Sequence, residues 1–393
     1  MLAITPLESA RLADAVYGIK SLGKNPSFGS VEKGLVKRVN TGVYKALAEN
    51  WDFEAATVGH GDSGMFGSEN TGFAMVVPGR GVRSGQTAVL FRGTKTANDW
   101  GTDFNFIPTG SHLGNVHSGF LRTYKSIQLE GLFTALQGRQ NSQLHIIGHS
   151  LGGALANLMA LDHHKSFNKK PMLYTFGSPR VGLNDFSLSL EHGLGAENIF
   201  RVYDVADPVP LVPTFPYIHS AQSVDGIRVG NSGGLINIPS HFMDNYIPKV
   251  KAKNNWQTLS NIEFEQFNMR NIDGLLSSAS QTVKIPGASI GLWTLGKVLQ
   301  ALIDMAFLLA SPASTIVMSV VDHIANMLNH AGRLSRALGN KILKFMEMVF
   351  QWMGRKVNSN AIELTTSFLK YIINLLMTPL MLAAKSAMTL LGK

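Results

Sequence analysis

The stretch Gln143-Leu144-His145-Ile146-Ile147-Gly148-His149-Ser150-Leu151-Gly152-Gly153-Ala154-Leu155-Ala156 sets the reading of the whole chain. Its apolar run, Leu144, Ile146 and Ile147, ends at a glycine and reads as a buried strand. From Ala154 onward, Leu155, Leu158, Met159 and Leu161 read as a helix packed on that strand. Between them lies Gly148-x-Ser150-x-Gly152. A serine held between a strand and a helix takes a strained backbone conformation, and only small residues two positions away let the chains pass so closely. The spacing predicts a nucleophile elbow. It raises Ser150 above the sheet edge and sets the Leu151 amide, at a helix N-terminus, to face a developing oxyanion. The same pattern arises by chance in a chain with 39 glycines, but the strand before, the helix after and the small residues Gly153, Ala154 and Ala156 argue against coincidence.

Working outward, 393 residues suffice for two domains, or for one domain with a large appendage. The sequence has no cysteine, which excludes disulfides, thiol catalysis and cysteine-ligated metals. No His-Glu-x-x-His spacing occurs, and neither metal nor cofactor is expected. Residues Met1 to Arg11 lack a basic segment followed by an apolar run. No Sec signal peptide is therefore expected, and a secreted protein would leave the cytoplasm by another route. The formal charge is +9, and from Ile272 to Lys393 there are 11 Lys and Arg against 5 Asp and Glu. Most of the excess thus sits in the less charged, more apolar third. No dense Lys/Arg cluster carries interleaved aromatics, so nucleic acid fits poorly and an anionic membrane surface fits better.

Along the chain, Leu7 to Lys20 has helical spacing and Gly23 to Ser30 reads as a loop. Phe53–Val58 and Gly72–Val77 read as strands joined through turn chemistry at Gly59 to Gly64. Thr87–Phe91 is a short buried strand ending at Arg92-Gly93-Thr94. In a hydrolase plan the second oxyanion donor comes from such a loop, with Gly93 permitting close approach and Thr94 offering an N–H and a hydroxyl. A plain turn is the alternative. Ala97 to Asn115 mixes Trp100, Phe104, Phe106 and Ile107 without periodicity, which suits either a cover over the site or a loop tucked on the core. Val116 to Leu136 reads as one helix. Strand, helix and strand then alternate through Met172–Phe176 and Ile199–Tyr203, predicting a parallel sheet with helices on its faces.

Acids follow the last of these strands, where parallel sheets place site residues. Asp207 precedes a proline and lies in a rigid Pro208/Pro210/Pro213 loop; it is favoured over Asp204, which reads as a loop cap. Hydrolases of this plan run Ser, Asp, His in chain order, so the base follows Asp207. His241, after a glycine-rich turn at Asn231 to Gly234 and with Tyr246 as an aromatic anchor, is favoured over His219. His323 and His330 fall in apolar helical segments.

Taken together, Phe91-Arg92-Gly93-Thr94, Val116-His117-Ser118-Gly119-Phe120, Gly148 to Ala154, Asp207-Pro208-Val209-Pro210 and His241 to Tyr246 resemble the class 3 (fungal-type) lipase family, over about residues 50 to 250. The resemblance implies an α/β-hydrolase fold, a Ser150/Asp207/His241 triad, an oxyanion hole from Thr94 and Leu151, and a lid near Ala97 to Asn115. In that family a Tyr-x-His histidine similar to His219 is not the base.

From Ile272 the chain changes character, holding nine of the 16 methionines and few turns. Leu334, Leu338, Ile342, Phe345, Val349 and Trp352 keep helical spacing, with Arg336, Lys341, Lys344 and Lys356 in polar directions. Uncharged runs after Asp304 and Lys370 are interrupted by Ser311-Pro312-Ala313-Ser314 and by Pro379, so neither is expected to span a membrane cleanly. The expected organisation is an α/β-hydrolase domain over 1–271 and an all-helical appendage over 272–393, either a soluble bundle or helices that engage an acidic membrane. With the resemblance this points to a bacterial phospholipase A-like member, a secreted toxin or effector of A1 type acting on phospholipid membranes. Neutral-glyceride hydrolysis, or membrane perturbation with the lipase-like half merely docking, are the alternatives. An accessory, chaperone or inhibitor protein covering the helices or the site is an expected partner.

Overall fold

The computed structural model describes residues 3–18, 45–62, 70–93, 108–129, 132–137, 139, 142–213, 216–220, 226–230, 235–260, 272–309, 320–356 and 364–390. The chain divides into two compact units, Met1–Val229 with Ile238–Ile262 and Ala384–Lys393, and Gly230–Asn237 with Glu263–Ala383.

In the first unit, Thr5 caps helix α1 (Pro6–Ala15) by accepting from the Glu8 amide, with Pro6 in the first turn where its missing N–H is not needed. A short turn, Val16–Gly18, follows. Helix α2 (Lys45–Asn50) precedes strands β1 (Thr57–Asp62), β2 (Asn70–Pro78) and β3 (Gln86–Phe91), which pair antiparallel in succession. The strand expected at Phe53–Val58 is therefore displaced, and Gly59 to Asp62, expected as a turn, belong to it. The reason is tertiary: Gly59 sits opposite Ala74 and Gly61 opposite Thr71, so pairing with β2 overrides local glycine content. The remainder of that expected turn and the Gly23–Ser30 loop lie outside the described residues.

Strands β4 (Pro108–Ser111) and β5 (Gly114–His117) form a separate hairpin, followed by helices α3 (Ser118–Leu129) and α4 (Leu132–Gln137). The helix expected from Val116 thus starts later, at Ser118, because Val116 bridges Gly182 and the His117 amide donates to the Val181 carbonyl at 3.0 Å. Those partners are some 65 residues away, beyond the reach of any periodicity. The hairpin likewise replaces the last part of the expected lid, whose residues 97–107 lie outside the described residues.

Next come strand β6 (Gln143–His149), helix α5 (Leu151–Phe167), strand β7 (Met172–Phe176), helix α6 (Asn184–Leu194) and strands β8 (Ile199–Asp204) and β9 (Ile227–Val229). The main sheet runs in the order β1-β2-β3-β6-β7-β8-β9, parallel from β3 to β9. The parallel pairing expected from the alternation through β7 and β8 is found, while β1 and β2 run antiparallel to their neighbours, where short connections need no crossover helix. Helices α7 (Met243–Ala252) and α8 (Trp256–Ser260) end the unit's main run. One face of the sheet buries Met75, Val77, Leu90, Ile147 and Val202 with α1 and α7; the other buries Val76, Val89 and Ile146 with α3 and α5. Each such buried aliphatic side chain contributes about 1.5–3 kcal/mol relative to exposure. This is the α/β-hydrolase fold.

The second unit is helical: α9 (Ile272–Thr282), α10 (Ser289–Leu309), α11 (Val320–Leu334), α12 (Arg336–Trp352) and most of α13 (Thr366–Leu390). Residues 230–237 cluster with it, and Leu235 bridges Ala288 through the backbone. The apolar stripe predicted from Leu334 to Trp352 is cut at Ser335, which caps α12 by accepting from the Leu338 amide. Leu334 is left exposed, while Leu338, Ile342, Phe345, Val349 and Trp352 are buried. Pro379 does not end α13, which runs 25 residues; by length and composition alone it is long and apolar enough to cross a membrane, with 39% of its most apolar window buried. Among the described residues it is the one helix that meets that test. It is tied to α11 by an Asn329–Thr366 hydrogen bond of 2.9 Å and a Lys370–Asp322 ion pair.

Candidate active site

Ser150 stands between β6 and α5 at φ 58°, ψ −132°, a conformation that a non-glycine residue holds only under constraint. The constraint comes from two close approaches. A Cβ on Gly148 would lie 2.1 Å from the Gly152 carbonyl oxygen, and one on Gly152 would lie 2.2 Å from the Phe91 carbonyl oxygen. Backbone meets backbone at both positions, so no side chain fits. The Ser150 amide is bonded to the Phe176 carbonyl at 3.0 Å, and Gly153 N–H closes the first turn on Ser150 O at 2.9 Å. Leu151 is the first residue of α5, where amides have no carbonyl within their own helix to bond. Thr94, expected as the other oxyanion donor, lies outside the described residues.

The structure brings Ser150, His241 and Asp207 together. Ser150 Oγ lies 2.9 Å from His241 Nε2, and His241 Nδ1 lies 2.8 Å from Asp207 Oδ2, with the His241 and Asp207 side chains wholly buried. Asp207 is held on both oxygens: Oδ1 accepts from Val209 N–H at 2.9 Å, Oδ2 from the Tyr246 hydroxyl at 2.7 Å. Burial, then the neighbouring carboxylates of Asp207 and Asp204, push the Tyr246 phenol well above its ordinary range, so it stays a donor. Asp204, the competing acid, accepts from the Ala206 amide at 2.8 Å and pairs with Lys249. It caps the loop. His219, the competing histidine, sits beside Arg180 Nε at 3.4 Å, and its carbonyl accepts from Ser187.

Three neighbours of the site escape sequence reasoning. Gly177, at φ 55°, has no room for a Cβ, which would lie 2.6 Å from Asp207 Oδ2. His149 and Tyr17 lie side by side, the phenol oxygen 2.7 Å from His149 Nδ1. His149 is visible in sequence only as the unremarkable middle of the elbow, and Tyr17 is 132 residues from its partner. For Tyr246 the signal was its short spacing from His241; the carboxylate it serves was not readable. Among the described residues no cluster of three or more His, Asp or Glu is arranged to hold a metal ion.

A mixed sheet, an elbow serine and a buried serine–histidine–carboxylate chain define the class: an α/β-hydrolase of the serine-hydrolase type. Residues 88–217 match the family model of lipase (class 3). Over 147 residues the chain is 33% identical to secreted mono- and diacylglycerol lipase 1 of Fusarium solani, covering 35% of this chain and 42% of that protein. It is 32% identical over 149 residues to the chloroplastic phospholipase A(1) DAD1 of Arabidopsis thaliana, covering 32% of this chain and 33% of the relative. Among solved structures, the triacylglyceride lipase of Rhizomucor miehei superimposes with a TM-score of 0.40 at 21% identity, over 57% of this chain and 77% of that one. Residues 88–217 thus carry the sequence pattern of class 3 lipases, and the chain spans less than half the length of these curated relatives.

Proposed function

We propose that the protein is a lipase that cleaves acyl esters of membrane phospholipids, a phospholipase A of A1 type, after secretion. The observation that carries the hydrolytic part is the buried chain from Ser150 Oγ through His241 to Asp207, at 2.9 and 2.8 Å, on a strained strand-to-helix turn. In the proposed mechanism Ser150 Oγ attacks the ester carbonyl while His241 Nε2 takes its proton. His241 returns that proton to the leaving alcohol, water repeats the sequence on the acyl-enzyme, and Asp207 orients and stabilises the imidazolium. The Leu151 amide, with Thr94 as second donor, stabilises the oxyanion; losing one such donor typically costs about 100- to 1000-fold in turnover.

Phospholipid as substrate is supported by the net positive, apolar C-terminal region and by the length and composition of α13. The relative named as a phospholipase A(1) agrees with it. The relatives named as secreted mono- and diacylglycerol lipases support secretion and favour a second reading, neutral-glyceride hydrolysis. A companion protein that covers the helical unit or the site before release completes the proposal, since a membrane-active hydrolase endangers the cell that makes it.

The test is lipid mass analysis after incubating the purified chain with vesicles of phosphatidylethanolamine and phosphatidylglycerol, and separately with diacylglycerol emulsions. Lysophospholipid and free fatty acid formed by the wild type and absent with Ser150→Ala are expected. Cleavage of the emulsion alone transfers the assignment to glycerides. Vesicle leakage that persists in Ser150→Ala without any fatty-acid release points to membrane perturbation and overturns the enzymatic reading.

A further inference from the structure

A chain of hydrogen bonds runs beneath the site that none of the proposed proton transfers uses. The Gly93 amide donates to the Tyr17 phenol oxygen at 3.2 Å, that hydroxyl lies 2.7 Å from His149 Nδ1, and His149 Nε2 lies 2.7 Å from the His241 carbonyl oxygen. Its direction is fixed at both ends, because a backbone amide only donates and a carbonyl only accepts. His149 therefore carries its proton on Nε2, leaving Nδ1 to accept the one proton of Tyr17. Burial, foremost among several causes, disfavours the charged form of both groups, as this pattern requires.

Both ends of the chain touch the reacting pair. The Gly93 peptide lies against the nucleophile: a Cβ added there would meet the Tyr17 oxygen at 2.7 Å, Ser150 Cβ at 3.1 Å and Ser150 Oγ at 3.4 Å. At the other end the His149 ring packs on the His241 ring, centroids 4.8 Å apart and tilted by 32°. Tyr17 itself is delivered by an N-terminal segment that is anchored to the unit: the Ile4 amide donates to the Tyr174 hydroxyl at 3.2 Å, and Trp256 Nε1 donates to the Ile4 carbonyl at 2.7 Å.

We propose that Tyr17 and His149 are positioning residues, a strut that holds the backbone after β3 and the main chain of His241 at a fixed separation about Ser150. The inference rests on Ser150 and His241 being the reacting pair. The N-terminal segment is then part of the catalytic apparatus rather than only a cover for the sheet. Its contribution is to turnover, with substrate binding left alone.

Tyr17→Phe keeps the ring and removes only the hydroxyl. The expected result is a fall in kcat on the order of 10- to 100-fold, counted per active site by phosphonate titration, with KM within about twofold. His149→Gln should lose a similar factor, and the double variant should lose no more than the worse single one, as for two members of one strut. Wild-type kcat per titrated site in Tyr17→Phe, or multiplicative losses in the double variant, overturns the inference. Ser150→Ala keeps the two claims apart: if it alone abolishes cleavage, the site assignment stands and the Tyr17 result judges only the strut. Nitrogen-15 NMR of the His149 ring reads the strut without any turnover. A proton on Nε2 with Nδ1 unprotonated is expected, and the opposite tautomer sinks the proposal.

Discussion

Gly177→Ala tests how closely the carboxylate and the base are set. Gly177 holds φ 55°, and an alanine in the left-handed region costs roughly 1–2 kcal/mol by itself. The larger effect is steric. The new Cβ would lie 2.6 Å from Asp207 Oδ2 and 3.1 Å from both His241 Nδ1 and the Tyr246 hydroxyl, where ordinary contact begins at 3.4 Å. Gly177 cannot easily give way, because its amide is tied to the Val202 carbonyl at 3.0 Å in the sheet. Asp207 must therefore retreat by about 0.8 Å, the gap between 2.6 and 3.4 Å, against its bond from the Val209 amide. A shift of that size stretches the 2.8 Å bond to His241 and the 2.7 Å bond from Tyr246 toward the limit of a useful hydrogen bond. Misplacement by about 1 Å costs around 100-fold in rate, and complete loss of the acid's role about 10⁴-fold. The expected kcat on mixed phospholipid vesicles is thus lower by about 100-fold or more, with a stability loss of about 1–3 kcal/mol from strain and overpacking. Initial rates normalised to titrated active sites, together with calorimetric unfolding, measure both. A folded Gly177→Ala protein that keeps kcat within about threefold of wild type would refute the claim that Asp207 and His241 act through this geometry.

Two further outcomes follow from the same reasoning. Tyr246→Phe removes the 2.7 Å donor to Asp207 and leaves the Asp204 amide without the phenol it reaches at 3.0 Å; kcat should fall about tenfold and stability by about 1–3 kcal/mol, read by vesicle hydrolysis and by urea unfolding. His145 is buried on β6 between Gln86 and Tyr174, and burial, with Arg83 second, pushes it down to about 3. The unfolded chain takes up that proton near pH 6.5 while the folded one does not, so stability is full above pH 6.5 and declines as pH falls toward 3. His145→Gln should remove on the order of 2–4 kcal/mol of that decline, and equal slopes for both proteins in urea titrations between pH 4 and 7 would count against it.

What could be read without coordinates was what short-range chemistry dictates. The elbow is legible because Gly148, Ser150 and Gly152 stand within five residues between a strand pattern and a helix pattern, and Asp207 because proline stiffens its own loop. The helical character of the C-terminal region follows from spacing of the same local kind. The errors lie where distant backbone intervened. Gly59 and Gly61 look like turn residues, yet β2 draws them into a ladder; Val116 and His117 look like a helix start, yet the backbone around residues 181 and 182 holds them extended. Pro379 looks like a break, yet α13 continues through it, and Ser335 divides a stripe that periodicity alone leaves whole.

By itself the sequence indicated the hydrolase fold, the elbow serine and the set of acids and bases from which its partners are drawn, because those depend on residue type and on order along the chain. Only the tertiary structure decided how Asp207 is held against His241, why Gly177 must lack a side chain, and that Tyr17 lies beneath the site. These are matters of a few tenths of an ångström between groups 30 to 132 residues apart. No local pattern encodes such separations, since they are set by how the sheet, its flanking helices and their close-packed side chains fit together.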